Sequence, residues 1–474
     1  MARDVLPNLE AAINQAGGPV AYLRASKDDR LDLEGEHNPP RIVPEVPNEF
    51  SQWERETHAW RNSVALFDQS HHMEGVFISG PDAQRFLTTL AANNLERSNR
   101  DSAHQIICCG SDGRLIGDAI VFHLEENLFS VYGAGFVTNW LRFNAEVTDL
   151  RVEATRDNRT PTYANGFPVT RRDCRYQIQG PRAGELIEKL NGRPLGNVKF
   201  FQMTEITVGG QRCRAIRHGM AGAIGLELWG PWEHRSSIRD AIIEAGQEFD
   251  LRLVGSMAYL VTAVESGWYQ AVLPAIYSSN ETRPYREWLP STGLEAATRL
   301  TGSMVHEQVE GYYRTPFDLG YGRFVDFEHD FLGREALQLR AKERAYKKVT
   351  LQWLPEDVVK IVTQMLTPNG AKPRYLHWPS SSEQINVHYD RLTSSTGSEI
   401  GNSAYTAYSA NDCAMLSLAL VKDDVEFGDE VIIHWGEAGG GWGSRQFSAT
   451  AITPIRAIVS PTPYARVARE DYRR

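Results

Sequence analysis

"VFISGPDAQRFLTTL" (76–90) and "YQIQGPRAGELIEKL" (176–190) are two writings of one local plan. Each reads as an apolar strand, a Gly-Pro turn and a helix with apolar residues three or four apart. The matched positions are Ile78/Ile178, Gly80/Gly180, Pro81/Pro181, Ala83/Ala183 and Leu90/Leu190. Glycine lets the chain turn sharply out of the strand. Proline at the first helical position gives up no needed N–H, because that donor is orphaned there anyway. A unit repeated at matched geometry predicts two related halves folded against each other, with a cleft between them. The copies differ where Phe77 of the first becomes Gln177 of the second, with Gln179 on the same strand face. A polar pair at that place needs partners.

At 474 residues the chain is too long for one ordinary domain. Its 42% hydrophobic and 23% charged residues are ordinary globular proportions, which excludes a disordered or fibrous protein. The net charge of −10 is spread along the chain and disfavours nucleic-acid partners, which call for a basic face. Five cysteines (108, 109, 174, 213 and 413) show no CxxC pair or metal-like spacing, as expected in a reducing compartment. The opening "MARDVLPNLEAAINQAGG" lacks the apolar core of a signal peptide. No run approaches the roughly 18 apolar residues of a membrane span, so no membrane partner is expected and the expected address is the cytoplasm.

Residues 9–24 read as a short amphipathic helix, and the polar, proline-bearing stretch after it as an extended covering loop. Together they form an N-terminal segment, 1–50. Alternating strand and helix signals then fill 51–340, the region that holds both copies of the repeat. The texture changes after about 345: "KKVTLQWL", "AMLSLALV", "DEVIIHWG" and "RQFSATAI" are strand-like runs of a β-rich domain, 341–474. The glycine run "GEAGGGWGS" lacks the Lys-Ser/Thr of a phosphate loop and reads as a hairpin connection.

Several of these stretches resemble the glycine-cleavage T protein superfamily. "ALFDQSHHMEGVFISGPDAQRFL", "YQIQGPRA", "GLELWG", "AVESGW" and "VDFEHDFLGREAL" are similar to successive blocks of that family over roughly residues 50 to 460. The resemblance implies an α+β, three-domain folate-binding fold with pseudo-symmetric halves and a C-terminal β-barrel-like domain. "WRNSVALFDQSHHM", "RHGMAGAIGLELWGP", "YREWLP" and "RAIVSPTPYARVARE" are closer to the tetrahydrofolate-dependent aryl-ether O-demethylases. That implies methyl transfer from a methoxylated aromatic acid to tetrahydrofolate. Where the amine-processing branch carries a catalytic Asp, this chain has Gly117, which argues against aminomethyl transfer. A sulfonium donor and a non-catalytic folate-binding protein are further alternatives. The segment "KGCYxGQE" of the non-catalytic branch is absent.

Residue by residue, the resemblance implies Tyr259 as the acid at the ether oxygen, and Gln177, Glu227 and Trp268 at the pterin, with Glu265 a weaker folate candidate. It places His72 against the aromatic substrate. A carboxylate suits the N3–H and 2-amino edge of a pterin, and an indole stacks on its face. Spacing alone leaves open a strand-face salt bridge at Glu227 and core aromatic roles for Tyr259 and Trp268. Adjacent strand residues face opposite ways, so "HH" at 71–72 is not expected to grip one ion, and no metal is assigned. The arginine that grips the ring carboxylate in vanillate-type enzymes corresponds to Ala134, and a loop tyrosine to Val43. Both losses favour an ortho-methoxybenzoate such as dicamba over vanillate or syringate.

Overall fold

The computed structural model describes residues 6–24, 46–71, 73–157, 171–218, 225–269, 272–343, 345–369, 372–380, 386–438 and 450–470. The two copies of the repeat lie in two sheets. The first sheet has the order Ala103–Cys109, Leu115–Glu125, Leu128–Gly133, Glu74–Ser79, Glu153–Arg156. In the second the order is Leu251–Leu253, Val64–Asp68, Asp173–Gln179, Gly225–Pro231, Gln211–Arg217, Met203–Val208.

The halves are crossed. Val64–Asp68 precedes the first copy in the chain but pairs antiparallel with the strand of the second. Glu153–Arg156 precedes the second copy and pairs antiparallel with the strand of the first. Each copy's glycine abuts the head of its borrowed strand. Gly80 (φ 125°) and Gly180 (φ 128°) are left-handed. A Cβ at either would come within 2.4 Å of a carbonyl oxygen, that of Arg151 or that of Ser63. Glycine is required twice for one reason, which confirms that the copies are structural equivalents.

The helices begin at Ala83 and Ala183, two residues beyond the prolines. The N–H of Ala83 bonds to the carbonyl of Gly80 at 3.0 Å, and Ala183 to Gly180 at 3.0 Å. Asp82 (φ −105°, ψ 11°) and Arg182 (φ −100°, ψ 6°) complete type I turns. Pro81 and Pro181 therefore take the second position of a turn rather than the first of a helix. A φ fixed near −65° suits both places.

Outward-facing Val76, Ile78, Phe86, Leu87, Val137 and Leu141 form the core of the first half. Leu66, Ile178, Leu226, Ala183, Leu186 and Ile238 form that of the second. Burying each such large side chain is worth about 1.5–3 kcal/mol. The inner faces meet each other, with Phe122 edge-on to Trp229 at 5.1 Å and the Arg175 guanidinium over the Tyr132 ring at 4.1 Å.

The C-terminal strands close into a six-stranded barrel in the order Tyr346–Trp353, Ala414–Lys422, Glu399–Ser409, Asp390–Ser394, Glu430–Trp435, Thr453–Ser460. The last strand pairs back to the first, which leaves no open edge. Glu430–Trp435 and Thr453–Ser460 are antiparallel neighbours, as a hairpin connection requires. Beyond Ala438 the glycine run itself lies outside the described residues. The N-terminal segment forms two helices, Leu9–Gln15 and Pro19–Arg24, where one was expected. Gly17 (φ 82°) and Gly18 (φ 125°) break it. Among the described residues no helix is long and apolar enough to cross a membrane.

One buried acid gives the fold a pH dependence. Glu295 is 1% exposed, accepts from Asn139 Nδ2 (3.0 Å) and Tyr285 Oη (3.2 Å), and feels the charge of Glu74. Burial above all raises its pKa to about 7. A carboxyl whose folded pKa is raised stabilises the fold below its unfolded pKa, and that contribution is lost as pH rises through 7. Glu295→Gln is therefore expected to be more stable than the parent by about 1–3 kcal/mol at pH 8. By pH 5 the difference should have largely closed. Denaturant melts at the two pH values check this, and a pH-independent difference would contradict it.

Candidate active site

Phe67, Gln177 and Glu227 stand directly opposite one another on three adjacent strands of the second sheet. The period of two puts them on the face away from Leu66, Ile178 and Leu226, which belong to the outer core. Over this face lies the helix Ser256–Glu265, apolar nearly all round and buried along almost its whole length, as a central helix should be. Its Tyr259 is 3% exposed and meets Phe67 edge-on, with centroids 6.0 Å apart.

Gln69, just past the end of Val64–Asp68, ties these parts together. Its Nε2 donates to Gln177 Oε1 at 3.0 Å, and it also hydrogen-bonds the Tyr259 side chain. Burial pushes the Tyr259 hydroxyl well above the ordinary tyrosine value, Glu227 pushes the same way, and Gln69 and Arg175 pull back. The hydroxyl therefore keeps its proton throughout the neutral range.

Glu227 is paired with Arg175 Nη2, and its Oε2 has His218 Nδ1 at 3.7 Å, too long for a hydrogen bond. Burial lowers the His218 pKa and outweighs the attraction of Glu227, so the ring is neutral at pH 7. Two polar atoms of this cluster, Gln177 Nε2 and His218 Nδ1, are buried without a hydrogen-bond partner. Such atoms cost about 1–3 kcal/mol each unless a ligand meets them.

Trp268 packs, half-buried, against the cluster that contains Trp60, Phe67 and Tyr259. Glu265 lies at the far end of the helix, and its carboxylate is already engaged. It accepts from Trp60 Nε1 (3.0 Å), Ser409 Oγ (2.5 Å) and Asn411 Nδ2 (3.2 Å), and pairs with Arg61 at 3.1 Å. These bonds clamp the central helix to the helix Trp53–Asn62 and to the barrel, so the structure gives Glu265 an anchoring job away from Gln177 and Glu227. His72 and Val43 lie outside the described residues. His71 stands in a turn, not in the strand assumed for it, and burial beside Arg171 and Arg235 lowers its pKa to about 4. Among the described residues no group of three or more His, Cys, Asp or Glu could hold a metal ion.

A Cβ at Gly117 would meet Val137 Cγ2 at 2.8 Å, so a side chain there would have to displace that methyl group. Neighbouring Asp118 accepts from Gln105 Nε2 (2.8 Å) and Tyr321 Oη (3.4 Å). Ala134 is exposed at the start of the helix Gly135–Val147. Sequence reasoning missed Gln69, Arg175 and His218. The alternation 175, 177, 179 would have found Arg175; no local signal marks the other two.

A family model described as the GCVT N-terminal domain matches residues 35–272. A syringate O-demethylase of a Sphingobium species is 35% identical over 466 residues, which is 98% of this chain and 97% of that one. The chain belongs to the GCVT-domain family. A sesamin methylene transferase of a Sinomonas species is 26% identical, covering 88% of this chain and 90% of its own. Among solved structures, the glycine cleavage system aminomethyltransferase T of Bartonella henselae superposes with a TM-score of 0.58 over 91% of this chain and 92% of its own, at 15% identity. That likeness shows the GCVT fold, with its two sheets and barrel.

Proposed function

We propose that the chain moves the methyl group of a methoxylated aromatic acid to tetrahydrofolate, giving a phenol and 5-methyltetrahydrofolate. The observation that carries this is Tyr259 linked through Gln69 to Gln177, one strand from Glu227. The near-full-length similarity to the Sphingobium syringate O-demethylase supports it. The unmet donor on Gln177 and the carboxylate of Glu227 fit a pterin, which offers acceptors along its ring and two parallel N–H groups on its guanidine-like edge. Trp268, packed against the cluster that holds Phe67 and Tyr259, would supply an aromatic face to the ring. Tetrahydrofolate supplies the nucleophilic N5 that accepts the methyl.

The chain's own residues then have two tasks. Gln177 and Glu227 would hold the acceptor's pterin in place for in-line displacement, which would make the reaction effectively unimolecular. Tyr259 hydrogen-bonds the ether oxygen and stabilises the departing phenolate. The N5 proton lost from the acceptor balances the one gained by the phenol. The free cysteines, four of them buried, agree with a cytoplasmic setting.

For the substrate we favour an ortho-methoxybenzoate such as dicamba, because neither Ala134 nor Val43 can provide the contacts of a vanillate-type pocket. A vanillate- or syringate-type substrate is the second reading, supported by the 35% identity to a syringate O-demethylase. Anaerobic incubation with tetrahydrofolate and vanillate, syringate, 2-methoxybenzoate and dicamba decides, with 5-methyltetrahydrofolate and phenol followed by mass. Product from the ortho acids is expected. Product from vanillate or syringate but not from the ortho acids would overturn the preference, and none from any acid would overturn the function.

A further inference from the structure

Arg171 is the most conspicuous unsatisfied cation near the site. It is 7% exposed, and both Nε and Nη2 are buried without a hydrogen-bond partner. These two nitrogens form one edge of the guanidinium, the edge that presents two parallel N–H bonds. A carboxylate matches that edge with both oxygens. Asp157 attracts Arg171 electrostatically but takes neither of these N–H groups. Among the described residues, its other charged or titratable neighbours are Arg175, which is committed to Glu227, His71, which is neutral at pH 7, Asp68 and Tyr132. A buried guanidinium with its fork unmet is costly to keep unless a ligand supplies the anion.

The inference rests on the methyl-transfer reading above and names what that reading lacks, the group that replaces the arginine lost at Ala134. We infer that Arg171 is the receptor for the carboxylate of the aromatic substrate, gripping it through Nε and Nη2. Arg171 interacts with Tyr132 and with Arg175, which lies over the Tyr132 ring and is paired with Glu227, the residue proposed for the pterin edge. Folate also carries carboxylates, but on a glutamate tail at the far end of the molecule from that edge. The anion near Arg171 therefore belongs to the aromatic acid.

The test compares the full-length protein with Arg171→Gln and Arg171→Lys, using vanillate and 2-methoxybenzoate beside their uncharged primary amides. Binding is read by calorimetry on folate-free protein, and turnover by phenol release. Arg171→Gln is expected to weaken the acids by about 10–100-fold in Kd and KM, with kcat little changed. The amides and tetrahydrofolate should bind as before, and Arg171→Lys should recover part of the loss. Equal weakening of acid and amide would overturn the inference, as would weaker tetrahydrofolate binding with unchanged acid binding. Should both variants misfold, the unsubstituted protein still decides, because parity between each acid and its amide refutes a carboxylate receptor. Acid binding that depends on Arg171 without any turnover would sink the methyl-transfer reading alone.

Discussion

Tyr259→Phe is expected to lower kcat for methyl transfer by about 10²–10⁴-fold, the usual worth of a positioned general acid. The substitution removes one oxygen and leaves the ring edge-on to Phe67, so packing is kept. It also removes the hydroxyl that Gln69 bonds, yet Gln69 retains Gln177 Oε1. The variant should therefore melt close to the parent and bind tetrahydrofolate with little change, a separation that a core-tyrosine role does not produce. Because burial holds the hydroxyl protonated, kcat of the parent should show no fall attributable to Tyr259 between pH 7 and 9. Rapid-quench measurement of phenol release checks both points. A variant with parental kcat would remove Tyr259 from the chemistry.

Glu227 carries the second large expectation, because its ion pair with Arg175 and its proposed pterin contact fall on one carboxylate. Glu227→Ala leaves Arg175 buried over Tyr132 with its charge unmatched, and breaking a buried pair in this way costs about 3–5 kcal/mol of stability. Glu227→Gln keeps the shape and a carbonyl for Arg175, so it should be milder in stability. It no longer offers a charged acceptor to the pterin edge, and tetrahydrofolate affinity should fall about 10–100-fold. Denaturant melts and calorimetric titration with tetrahydrofolate separate the two effects. If both variants lose stability while tetrahydrofolate binds unchanged, Glu227 is only the strand-face salt bridge that spacing had left open.

Much of this was legible because it is written locally. The Gly-Pro units at 80–81 and 180–181 announced two halves, because the positive φ of each glycine belongs to its own turn. Gln177 stood out as the polar replacement of Phe77, and alternation put it on one face with Gln179, whose Nε2 bonds the carbonyl of His218 at 2.9 Å. The helix around Tyr259 was likewise readable from its apolar spacing. Less visible was the exchange of Val64–Asp68 and Glu153–Arg156 between the sheets, since a strand's own residues do not say which neighbour completes its ladder.

Glu265 shows the limit most clearly. Its place in a folate-like motif suggested a ligand, and the fold instead surrounds it with Trp60, Arg61, Ser409 and Asn411, drawn from distant parts of the chain. Sequence by itself determined the repeated strand-turn-helix units, the β-rich C-terminal region and the residue types at the site, because backbone conformation and hydrophobic period are properties of neighbours in the chain. Only the tertiary structure decided which of those polar groups are satisfied by protein and which are not. Gln177 Nε2 and Arg171 were left unmet while Glu265 was fully used, because burial and hydrogen-bond partners come from residues that meet only in space.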